Sequence, residues 1–222
     1  MISLALFHFL CSLTVLLLLP LHTSAGDPDP MQDFCVADLQ AHTSVNGYPC
    51  KPAKSVTAND FFFDGFTKEG NTSNNLGSAL TIANVNVFPA LNTLGVAMGR
   101  VDLAPGGLNP PHIHPRATEA GIIIEGKVLI GFVTTANVFH SKELSVGQMF
   151  VVPKGLLHFQ LNVGQGKALI YTALNSHLPG SVIVSNTLFA SSPAIPEHVL
   201  TKAFQADKHT IDTIRSKFGA KA

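Results

Sequence analysis

Pro111-His112-Ile113-His114-Pro115-Arg116-Ala117-Thr118-Glu119 is answered further along the chain by Pro153-Lys154-Gly155-Leu156-Leu157-His158. Together these stretches supply three imidazoles and one carboxylate. Two histidines one residue apart face the same way only on an extended backbone, where side chains alternate with period 2. On a helix they would diverge by about 200° and could not readily share an ion. The pattern therefore predicts a metal site carried on β-structure. Three imidazoles and a carboxylate suit a borderline or hard divalent ion such as Mn, Fe, Ni, Cu or Zn. Four protein ligands, His112, His114, Glu119 and His158, would leave coordination positions open for water or substrate.

The surrounding chain agrees with a β scaffold. Short β-rich runs are expected at 94–103, 119–124, 127–134, 138–144, 148–152, 157–163 and 168–174, with turn residues such as Pro105-Gly106-Gly107 and Gly164-Gln165-Gly166 between them. Regular short strands with such punctuation predict an antiparallel sandwich or barrel. If His112, His114, Glu119, His158, Gln160 and Asn162 face inward, then Ile113, Ala120, Ile122, Ile124, Phe159 and Leu161 face outward. An outer face so apolar calls for cover, some of it from the N-terminal extension and the C-terminal helices and the rest from another subunit, which predicts a homo-oligomer. After Pro196, apolar residues recur at helical spacing over 197–204 and 208–218, with Gly219 as a stop.

Composition narrows the function classes. With 14 Lys+Arg against 14 Asp+Glu, nothing suggests a nucleic-acid surface or an acidic membrane partner. Residues 1–25 contain no Asp, Glu, Lys or Arg and end Thr23-Ser24-Ala25 after a Leu-rich run broken by Pro20. This reads as a signal peptide, so the mature form has no membrane span. Secretion leaves Cys35 and Cys50, which are expected to form one disulfide, and makes Asn71-Thr72-Ser73 a glycosylation acceptor at Asn71. The expected organisation is a signal peptide (1–25), a disulfide-pinned extension (26–63), a β-barrel (64–190) and a helical segment (191–222). His42, His140, His177, His198 and His209 read as ordinary polar residues; His8 and His22 fall in the leader.

Gly106-x5-His112-x-His114-x4-Glu119-x6-Gly126, followed by Gly147-x5-Pro153-x-Gly155-x2-His158-x3-Asn162, resembles the two cupin motifs. Asp33-Phe34-Cys35-Val36-Ala37-Asp38 and Asn92-Thr93-Leu94-Gly95-Val96 resemble plant germins and germin-like proteins. The resemblance implies an all-β cupin barrel (jelly roll) with short C-terminal helices. It further implies a hexamer built as a trimer of dimers, a location in the apoplast or cell wall, and manganese held by His112, His114, Glu119 and His158. Germins proper oxidise oxalate, held by two asparagines. Asn109 matches one; the other falls on Gly99, which has no amide, and this disfavours oxalate oxidase. Many germin-like relatives instead dismute superoxide, with Asn109 and either Gln160 or Asn162 offering hydrogen bonds behind the ligands. A non-catalytic wall-associated binding protein is the remaining reading.

Overall fold

The computed structural model describes residues 32–43 and 47–218. The leader read at 1–25 and the stop at Gly219 lie outside them.

Alternation is the local rule that builds the barrel. In β8 (Leu157–Asn162) every second side chain is buried, and β9 (Ala168–Leu174) does the same. Seven strands expected from the sequence form β2 (Ala97–Leu103), β4 (Glu119–Glu125), β5 (Lys127–Val133), β6 (Phe139–Ser145), β7 (Met149–Val152), β8 and β9. The first starts at Ala97 rather than 94, because Thr93 and Gly95 both take left-handed backbone angles (φ 65° each) and turn the chain before pairing begins. β3 (Leu108–Ile113) is the extended segment that His112-x-His114 called for, while β1 (Ser78–Ala83) and the two-residue β10 (Val182–Ile183) escaped the periodicity.

The strands make two five-stranded sheets, ordered β1-β2-β9-β4-β7 and β10-β3-β8-β5-β6, with antiparallel pairing in both. This is the expected jelly roll. One end of the interior is apolar: Val101, Leu103, Ile123, Val128, Ile130, Leu144, Ala168 and Ile170 pack together with Phe150 against them. Burying a side chain such as Ile123 or Ile170 contributes about 1.5–3 kcal/mol. At the other end the interior rows carry His112, His158 and Phe132 on one sheet and Ala97, Leu174 and Glu119 on the other. The apolar half holds the sheets together, and the polar half is where the chemistry sits.

Strand β3 contains Pro110 and Pro111, which have no N–H to give a ladder. Its register against β8 breaks there: Asn109 faces Gln160 and His112 faces His158, so three steps on β3 match two on β8. The extra residue is a bulge. It lets Asn109 and His112, an odd distance apart, both turn inward.

Beyond β10 come α1 (Val184–Phe189), α2 (Glu197–Phe204) and α3 (Lys208–Ser216). The last two are the helices the spacing predicted; α1 was not foreseen. Asp207 caps α3 by accepting the Thr210 N–H at 2.7 Å. Phe189, Leu200 and Ile211 form a small core of their own. At the N-terminal side, Cys35 and Cys50 are joined. The wholly buried Asn92 amide donates to the Tyr48 carbonyl at 2.8 Å and to Cys35 Sγ at 3.3 Å, clamping that loop to the barrel.

Candidate metal centre

His112 lies in β3, His114 just past its end, Glu119 opens β4, and His158 is the second residue of β8. Four positions spread over 47 residues thus meet, all buried, with their ligand atoms within 4.8 Å of one another. Among the described residues no other group of His, Cys, Asp and Glu side chains converges in this way.

Each imidazole is held from behind. His112 Nδ1 donates to the Pro110 carbonyl at 2.8 Å, His158 Nδ1 to Leu156 at 2.9 Å, and His114 Nδ1 to Gly180 at 2.7 Å. A carbonyl only accepts, so Nδ1 carries the hydrogen. In the neutral ring the Nε2 lone pair is then left facing the centre. Glu119 Oε2 sits 2.8 Å from His114 Nε2 and 3.4 Å from His158 Nε2. Lone pairs aimed at a carboxylate oxygen require a cation among them, either a proton or a metal ion. The donor set therefore fits a divalent metal.

The electrostatics favour the ligand forms. Burial, then the neighbouring His158, lowers the His112 pKa to about 4, so that ring is neutral at neutral pH. Burial would raise Glu119, but hydrogen bonds from His114 and His158 outweigh it and bring its pKa down to about 2. Burial likewise opposes charge on His114, yet the Glu119 and Gly180 hydrogen bonds carry its pKa above the usual value.

Behind the ligands, Gln160 is fully buried and donates to Glu119 Oε1 at 3.2 Å, while its own Oε1 accepts from Asn109 Nδ2. Asn109, Gln160 and Glu119 form a relay that turns Oε2 toward the histidines. Asn162 takes no part, which corrects the alternative given for it: its amide donates to the Leu103, Ala104 and Gly166 carbonyls and ties the turn after β8 to the end of β2. Gln160 was legible by parity, two residues from His158 on the same face. Gly180 was not legible at all. Gly99 is also buried and faces inward; a Cβ placed there would come 2.7 Å from Thr172 Oγ1. Asn71 is exposed, with its Oδ1 accepting the Ser73 N–H at 2.9 Å. None of the remaining described histidines joins the cluster; His177, the buried one, accepts the Thr93 N–H.

A jelly roll with three histidines and a glutamate at its polar end defines a cupin, and the cupin family model matches residues 64–212. Germin-like protein subfamily T member 2 of Arabidopsis thaliana is 57% identical over 194 residues, covering 87% of each chain. Germin-like protein 5-1 of Oryza sativa subsp. japonica is 52% identical over 207 residues, covering 93% of each. The chain belongs to the germin-like proteins. Among solved structures, an oxalate oxidase in complex with the substrate analogue glycolate superimposes with a TM-score of 0.85 at 48% identity, covering 88% of this chain and all of that one. Peruvianin-I, a cysteine peptidase from Thevetia peruviana latex, gives 0.69 at 42% identity, covering 71% and 98%.

Proposed function

We propose that this is a secreted, manganese-binding germin-like protein that dismutes superoxide to H2O2 and O2 in the plant cell wall. The observation that carries the reading is the buried cluster of His112, His114, Glu119 and His158, with every Nδ1 engaged and the Nε2 atoms convergent. These four side chains would hold the metal. Manganese, when bound, supplies one-electron chemistry between two oxidation states. The chain's own residues keep three rings in the ligand tautomer, aim Glu119 Oε2 through Gln160, and shield the site from bulk water.

The oxalate oxidase likeness favours a second reading, and Asn109 matches one of the two asparagines that reading asks for. Against it stands Gly99, which offers no amide and whose side-chain space is taken by Thr172. A cysteine peptidase is a poorer fit, because Cys35 and Cys50 are bonded to each other. The leader and the Asn71 acceptor support secretion, and no described helix is long and apolar enough to cross a membrane. Exposed Met98, Ile124, Met149 and Val151 on the outer face of the first sheet support a homo-oligomer, for which we propose the hexameric trimer of dimers.

The test is the superoxide dismutation rate per bound metal atom after exhaustive dialysis. A rate that stays with the protein and disappears in His112→Ala is expected. A metal-replete protein without that rate would overturn the dismutase reading and direct the assay to oxalate.

A further inference from the structure

The segment leading into the C-terminal helices runs along the outer edge of the ligand strand. Val182 and Ile183 of β10 pair with Ile113 and His112. The Gly180 carbonyl then takes the hydrogen of His114 Nδ1 at 2.7 Å. Just beyond, Arg116 Nε donates to the Leu178 carbonyl at 2.6 Å and its backbone N–H to Pro179 at 3.1 Å. Residues 178–183 thus grip 112–116 almost residue by residue, across more than sixty residues of sequence. His112 and His158 each bond a carbonyl two residues back in the chain. His114 alone depends on a distant segment.

The approach at Gly180 is close. Gly180 sits at φ +71°, where a side chain is strained, and a Cβ there would meet Arg116 Nη2 at 2.9 Å and Pro115 Cγ at 3.2 Å. The Arg116 guanidinium lies against the glycine.

We infer that Gly180 is a positioning residue for the metal centre: its carbonyl holds His114 as a ligand, so that metal retention depends on the seating of residues 178–183 against the ligand strand. The inference rests on the metal reading of the cluster. Loss of a hydrogen bond behind a ligating histidine typically weakens metal binding about 10–100-fold.

The experiment measures release of Mn(II) from the loaded full-length protein into excess chelator, and the visible absorption of the Co(II)-substituted form, which reports ligand number and geometry. Gly180→Ala is expected to speed release by about 10–100-fold and to alter the Co(II) spectrum. Gly147→Ala is the control. It carries the same kind of positive-φ strain (φ +82°) at the turn between β6 and β7, with open space around the Cβ, and should leave both readouts unchanged. Arg116→Ala removes the grip on Leu178 without adding atoms, and keeps the inference testable if Gly180→Ala does not fold; it should speed release by a smaller factor. Wild-type release and spectrum in Gly180→Ala, in Arg116→Ala when Gly180→Ala does not fold, or equal acceleration in Gly147→Ala, would overturn this inference alone. A wild-type protein that takes up no metal would overturn it together with the reading beneath it.

Discussion

Replacing Gln160 by Leu tests whether the relay behind Glu119 matters. Leu has nearly the volume of Gln, so no cavity forms and the loss is polar. Glu119 Oε1 forfeits a hydrogen bond to a buried carboxylate, a contact worth about 1.5–3 kcal/mol. Asn109 Nδ2 forfeits its acceptor, but Asn109 is only half-buried and can turn toward water, which adds at most about 1 kcal/mol. The metal-free protein should therefore lose about 1.5–4 kcal/mol, or roughly 3–16 °C in thermal midpoint at about 2–4 °C per kcal/mol for a chain of this size. Freed from Gln160, the carboxylate can rotate, and metal affinity should fall by about 10–100-fold. Circular-dichroism melts at fixed protein concentration measure the first quantity, and chelator competition with Mn(II) the second. An unchanged midpoint together with unchanged affinity would refute the reasoning, because Glu119 would then be oriented without Gln160.

Three further outcomes are expected. His112→Ala or His158→Ala should abolish metal binding while the far-ultraviolet spectrum keeps its β signature, since the apolar core lies at the other end of the barrel; full metal stoichiometry in either would mean the ligands are misassigned. Metal affinity should rise with pH. His114, whose pKa is raised, must give up its proton, so affinity gains about tenfold per pH unit below that pKa and levels off above it; below about 4, where His112 also protonates, the dependence steepens. A flat profile between pH 5 and 9 (about four decades of proton concentration) in chelator competition would contradict competition between proton and metal at His114. Cys35→Ser with Cys50→Ser opens a loop of 15 residues and should cost about 3 kcal/mol of stability, read as a lower thermal midpoint; an unchanged midpoint would mean that Asn92 and the bridge between Ala37 and Cys50 suffice to hold the loop.

Much of the site could be read before the fold was known, because metal chemistry restricts the residue types and strand geometry restricts the spacing. His112-x-His114 needs extended backbone, and parity from His158 brings Gln160 to the same face. The same parity failed at two places. Asn162 lies on the inward face but is spent on the Leu103 and Ala104 carbonyls at the end of β2 and on Gly166 in the turn after β8. Asn109 stands an odd number of residues from His112, and only the bulge at Pro110-Pro111 turns both inward. Short elements escaped for a related reason: β10 has two residues, too few for any period, and α1 has six.

By itself, then, the amino-acid order determined the strand alternation, the two terminal helices, the ligand types and the disulfide partners. Each of these rests on local spacing or on the chemistry of a few side chains. The tertiary structure alone decided which carbonyl holds His114, where Glu119 points, and that Thr172 fills the space beside Gly99. Those depend on contacts between segments far apart in the chain, whose meeting follows from sheet register and packing and leaves no periodic trace in the sequence.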